Sequence, residues 1–205
     1  MYLILQSTYT EIELALFDSN KIIRKQSIDK QEATAMLIPT IDAILKDNNI
    51  EITNLDFIGI NQGPAPFTTL RVLISTVNGL AFATGIPLVG TDGLKALMQE
   101  SNNPKSIVLL NAFSKDVYYS INNEVGCKNI NNLLEELKPA SGMYFIGNGS
   151  ILYKDAILEK FPDATISEDL KYCSLETIAK NCLERFDKKE GISQKLMPMY
   201  LKNAV

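Results

Sequence analysis

The segment Gly63-Pro64-Ala65-Pro66-Phe67-Thr68-Thr69 lies between a predicted strand and a predicted helix, where unpaired backbone N–H groups and the helix dipole can hold a phosphate. Its residue types argue against that use. Pro64 and Pro66 each remove a donor, Ala65 stands where glycine would allow close backbone approach, and no Lys-Ser/Thr pair follows as in a P-loop. A stiff loop of this kind suits setting the entry angle of the next helix. Arg71, just inside that helix, can bind an anion, but a structural or partner-facing hydrogen bond is favoured.

The rest of the chemical repertoire is short. The chain has no histidine, which removes Ser-His-Asp and Cys-His catalytic units, His-Glu-x-x-His zinc sites and histidine-ligated haem. Its three cysteines, Cys127, Cys173 and Cys182, are 46 and 9 residues apart and lack the spacing of a zinc knuckle or redox pair. They read as small apolar groups in a reducing cytosol. No cofactor and no metal is expected. With 24 acidic against 20 basic residues, the chain has no global attraction to nucleic-acid phosphate. Its apolar runs are too short to cross a bilayer.

The surrounding pattern is that of an α/β protein. Tyr2 to Gln6, Glu11 to Phe17 and Lys21 to Ser27 read as a meander of three strands, the second alternating Ile12, Leu14 and Leu16 against Glu13 and Ala15. A helix over Gln31 to Asp47, a strand over Leu55 to Asn61, a helix over Leu70 to Thr84 and a short strand at Leu88 to Gly90 follow, and Asp92 N-caps a helix to about Glu100. Asn102-Asn103-Pro104 divides the chain into expected domains at 1–102 and 103–205. Beyond it come strands at Ser106 to Asn111 and Asp116 to Asn122, a helix near Asn131 to Leu137, a strand at Met143 to Gly147 and a helix from about Ser150 to Lys160. A duplicated βββαβα unit predicts two small, similar domains facing each other across a cleft. An amphipathic helix over Ser174 to Phe186 and a tail from Leu196 end the chain, and the tail is expected to pack back on the first domain.

The run NQGPAPFTTLRVLISTVNGLAFATGIPLVGTDGLKAL resembles the signature of the TsaB (YeaZ) family, Gly-Pro-Gly-Ser-Phe-Thr-Gly-x-Arg followed by a Gly-Leu-Ala helix and an Ile-Pro-x-x-Gly strand. YLILQSTYTEIELALF, DVYYSIN, FIGNGS and MPMYLKNAV are similar to further family segments, so the resemblance covers nearly the whole chain in order. It implies the actin-like ATPase (ASKHA, RNase H-like) fold. Active members of that superfamily hold nucleotide phosphates and metal on two Asp-x-Gly turns. Here the matching positions read Gln6-Ser7-Thr8-Tyr9-Thr10 and Asn111-Ala112-Phe113, amides in place of carboxylates and side chains in place of glycines. Of the signature loop, Gly63, Pro64, Phe67, Thr68 and Arg71 are kept, whereas Ala65, Pro66 and Thr69 depart from it. Ala33-Thr34 replaces the common His-Ser start of the first helix.

The resemblance implies a noncatalytic subunit of the bacterial machinery that makes threonylcarbamoyladenosine on tRNA. It would bind a TsaD-like catalytic paralogue, meet a TsaE-like ATPase and tRNA only through the complex, and form a homodimer when isolated. A diverged small-molecule kinase or ATPase of the same superfold, using Asp18, Asp92, Asp116 or Asp155, is the alternative. The helix over Leu70 to Thr84 is apolar nearly all round, so one sheet face cannot bury it, and Ser75, Gly79 and Ala83 form a small-residue ridge. The expected interface is Val72, Ser75, Thr76, Gly79 and Ala83 of this helix, with Leu37, Ile38, Ile41 and Leu45 of the preceding one.

Overall fold

The computed structural model describes residues 1–122 and 124–202. The chain divides into two compact units: Met1–Asp92 with Ser174–Met199, and Gly93–Cys173 with the residues from Tyr200. The boundary expected at 102 thus falls at 92, because the helix Gly93–Glu100 packs on strands of the second unit, while the helix after Ser174 packs on the first sheet.

In unit 1, β1 (Tyr2–Ser7), β2 (Glu11–Asp18) and β3 (Lys21–Asp29) form the expected antiparallel meander. α1 (Ala33–Asp47), β4 (Ile58–Asn61), α2 (Phe67–Thr84) and β5 (Leu88–Thr91) follow, β4 lying parallel to β1 and β5 parallel to β4. The strand expected from Leu55 begins only at Ile58, after a 3-10 turn at Ile52–Asn54. α7 (Leu175–Asp187) and β11 (Ile192–Ser193) complete a sheet of order β3-β2-β1-β4-β5-β11. Every residue of β1 is buried because helices cover both faces. Leu3, Leu5, Ile12, Leu14 and Leu16 meet α1 and α2. On the other side α7 comes so near that a Cβ at Gly59 would stand 2.9 Å from the Cys182 sulfur.

Unit 2 repeats the plan. α3 (Gly93–Glu100), β6 (Ser106–Asn111), β7 (Asp116–Ile121), β8 (Glu124–Asn129), α4 (Ile130–Glu136) and β9 (Tyr144–Ile146) precede α5 (Asn148–Leu152), α6 (Lys154–Lys160) and β10 (Thr165–Ile166). Its sheet order, β8-β7-β6-β9-β10, matches strand for strand and direction for direction the first five strands of unit 1. The single helix expected over Ser150 to Lys160 is two, broken at Tyr153. The duplicated actin-like architecture is therefore present in both halves.

Candidate functional site

The end of β1 carries the first altered turn. Gln6 is 1% exposed and lies opposite Glu13 in the β1–β2 register. Its Nε2 donates to Glu13 Oε2 at 2.6 Å, and its Oε1 accepts from Asn61 Nδ2 at 3.3 Å. Asn61 Oδ1 in turn accepts from the Gly63 N–H at 2.9 Å, and Lys25 Nζ sits 2.9 Å from the second Glu13 oxygen. The hydrogen bond with Glu13 raises the Lys25 pKa above the usual lysine value. A continuous polar chain thus runs from β3 to the signature loop, and its one carboxylate is already neutralised by a lysine. An arriving metal ion would have to break the Lys25 pair and the Gln6 bond to use it.

The turn itself closes locally. Thr8 Oγ1 donates to Glu11 O at 3.0 Å and accepts from Glu11 N at 3.1 Å. Ser7 Oγ donates to Thr69 Oγ1 at 2.8 Å, and Thr69 Oγ1 donates to Pro66 O at 3.2 Å. Thr69, one of the departures from the family loop, therefore ties the turn to the first turn of α2.

That loop has a cis Gly63–Pro64 peptide, and Gly63 lies at φ +110°, where a side chain is strained. Gly63 and Pro64 are buried, Phe67 is half-buried, and Thr68 and Arg71 are exposed. The Arg71 guanidinium carbon lies 5.7 Å from the Phe67 ring centroid, a cation–π arrangement.

The second altered turn is held in the same way. Asn111 Oδ1 accepts from the Phe113 N–H at 2.9 Å, and the Asn111 N–H donates to Asn148 Oδ1 at 3.0 Å. Asp116, a carboxylate the enzyme alternative could use, is paired with Lys202 Nζ at 2.6 Å. Asp18 ends β2, Asp92 follows β5, and Asp155 lies in the first turn of α6. Among the described residues no group of three or more Cys, Asp or Glu is placed to hold a metal ion.

The α1 and α2 faces divide the expected interface residues. α2 turns Leu70, Leu73, Ile74, Val77 and Ala81 into the core, at helical spacing, and leaves Ser75, Gly79 and Ala83 exposed. A Cβ at Gly79 would meet no heavy atom within 4 Å beyond the backbone of its own helix. Val72 and Thr76 are half-buried. Phe82, beside this ridge, is 92% exposed. On α1, Ile38 is 58% exposed and Met36 also reaches solvent. Leu37, Ile41 and Leu45 are not surface residues: they are turned into the core, because α1 needs that stripe to cover β2 and β3. Sequence reasoning missed Met36 and did not single out Phe82. It also missed the Glu13–Lys25 pair, for which the only sequence signal is two opposite charges on neighbouring strands. Of the tail similar to the family ending, Asn203, Ala204 and Val205 lie outside the described residues. Among the described residues no helix is long and apolar enough to cross a membrane.

Comparisons with known proteins agree with this geometry. The family model described as "TsaD: tRNA N6-adenosine threonylcarbamoyltransferase" matches residues 27–197. The chain is 23% identical over 205 aligned positions to "tRNA threonylcarbamoyladenosine biosynthesis protein TsaB" of Buchnera aphidicola subsp. Baizongia pistaciae, covering 92% of this chain and 91% of that one. To the protein of that name in Haemophilus influenzae it is 30% identical over 91 positions, 42% of this chain and 39% of the other. Among solved structures, "YeaZ from Pseudomonas aeruginosa" superposes with TM-score 0.75 at 20% identity, covering 97% of this chain and 99% of that one, which bears on the fold. With a matching order of strands in both halves and a family match over most of its length, the chain belongs to the TsaD family of proteins and, within it, to the TsaB (YeaZ) group with the actin-like ATPase fold.

Proposed function

We propose that this chain is the noncatalytic, activating subunit of a bacterial threonylcarbamoyladenosine tRNA-modification complex, and that it binds a TsaD-like catalytic paralogue through the exposed face of α1 and α2. The observation that carries this reading is the α2 surface. Gly79 opens onto empty space beside a phenylalanine that is 92% exposed. Burying such a ring is worth ~1.5–3 kcal/mol, and an aromatic anchor next to a small-residue track is what a second helix pair needs for close packing. The names of the relatives support the pathway. The two amide-bearing turns, whose hydrogen bonds close within the protein, support a role without phosphate chemistry of its own.

In this reading the chain works in the cytoplasm, meets tRNA and a TsaE-like ATPase only within the complex, and pairs with a second copy through the same face when the paralogue is absent. Light scattering behind size exclusion tests it. Mixing the chain with the TsaD-like paralogue of its own organism gives a complex containing both chains, at the expense of any homodimer. Separate elution of the two at micromolar concentration contradicts the proposal.

A further inference from the structure

After β11 the chain crosses unit 1 as a segment outside any regular element, Gln194–Met199, fastened at three places along α2 and the signature loop. Gln194 Nε2 donates to the carbonyl of Gly85, the C-cap of α2, at 3.2 Å. The Leu196 N–H donates to Asn78 Oδ1 at 2.8 Å, and Asn78 Nδ2 donates back to Leu196 O at 2.9 Å. Gln62 Nε2 donates to Met197 O at 2.7 Å, and the Met199 N–H donates to Gln62 O at 2.8 Å. The anchors fall in the order Gly85, Asn78, Gln62, so the segment runs antiparallel to α2.

Its place on the helix matters. Asn78 follows Ser75 by three residues and precedes Phe82 by four, so the three side chains share one stripe of α2. The main chain of the segment therefore walls one side of the exposed face. Leu196 is buried in the core, while Lys195 and Met197 on either side of it are exposed. Five hydrogen bonds, mostly reached by flexible amide side chains, and one leucine stand against the ordering of six residues outside any regular element. Such a segment opens at lower cost than the strands beneath it.

We propose that Gln194–Met199 is a strap whose seating on Asn78 and Gln62 is coupled to partner binding: seated, it completes the α2 face, and released, it lowers affinity. The proposal rests on the partner reading above. Asn78 and Gln62 are positioning residues that act through the tail main chain.

Hydrogen exchange on the full chain, alone and with the TsaD-like paralogue, reads both halves of the proposal. In Asn78→Ala, the amides of Leu196 and Met199 exchange faster while those of Leu5 and Ile60 keep their wild-type protection. Partner Kd rises about tenfold, as expected when the seated fraction falls to about one tenth. Gln62→Ala acts in the same direction, and the double variant lowers the seated fraction further and raises Kd beyond either single variant. Unchanged tail protection in both single variants overturns the proposal. So does faster tail exchange with unchanged or tighter binding, and that result leaves the partner reading standing. Absence of a complex with the wild-type chain instead sinks the partner reading, and the coupling with it.

Discussion

Gln6 and Glu13 face each other across the β1–β2 ladder, joined by a 2.6 Å hydrogen bond from the amide to the carboxylate. The amide is suited to this place because it donates to Glu13 and accepts from Asn61 at once, carrying no charge into a buried position. Gln6→Asp would restore the residue type of an active phosphate turn, but would set two carboxylates opposite each other and remove the donor. We expect a loss of about 1–3 kcal/mol at neutral pH, read by urea denaturation, with partial recovery in acid as one carboxyl takes up a proton. Unchanged stability would mean that the turn still tolerates an acid and a cation.

The same reasoning gives a ligand prediction. With an amide at Gln6, an amide at Asn111 and the Glu13 charge held by Lys25, calorimetric titration with ATP and magnesium should show no measurable binding and no turnover. Low-micromolar binding accompanied by hydrolysis would promote the kinase alternative.

Neighbouring residues on α1 should behave in opposite ways. Leu37→Ala removes a side chain from the core and is expected to cost about 2–5 kcal/mol. Ile38→Ser lies on the exposed side, so its stability should stay within about 0.5 kcal/mol of wild type while complex formation weakens. Thermal unfolding and a binding titration on both variants separate core from face. Equal destabilisation by both would place Ile38 in the core as well.

Alkaline stability has a defined sign. Burial is the main cause that pushes the Cys182 thiol from 9.0 up to about 12, and Tyr2 from 10.0 up to about 12. Between those values the folded protein keeps protons that the unfolded chain has released. Stability is therefore complete below pH 9.0 and falls as pH rises toward about 12. The slope should not exceed about 1.4 kcal/mol per pH unit for one group. Urea midpoints measured from about pH 8 to about pH 11 should decline, and Cys182→Ala should flatten the part of the decline that begins first. An identical profile for the variant would assign the slope elsewhere.

Much of the fold was legible because its signals are local. The meander shows in the alternation of Ile12, Leu14 and Leu16, and the exposed ridge in the spacing of Ser75, Gly79 and Ala83 on a helix too apolar to be buried all round. β8 was not located, since Gly126, Cys127 and Lys128 form an edge strand with no continuous buried face to impose alternation. Periodicity identified the apolar stripe of α1 but not its direction: the same i, i+3, i+4 spacing serves a core and an interface, and the sheet claimed Leu37, Ile41 and Leu45. The reciprocal Asn78–Leu196 bonds leave no mark in the sequence, because they join residues 118 positions apart and one side is main chain.

Gly79→Arg tests the partner face most directly. A Cβ at this position would meet no heavy atom within 4 Å beyond the backbone of its own helix, so the new side chain can be accommodated without disturbing the fold, apart from a helix propensity that arginine improves. Size exclusion with light scattering, paired with circular dichroism, should show a wild-type spectrum and melting profile together with loss of the complex with the TsaD-like paralogue and of any self-association. A folded Gly79→Arg chain that still forms the complex at wild-type affinity would place the interface elsewhere and contradict the account.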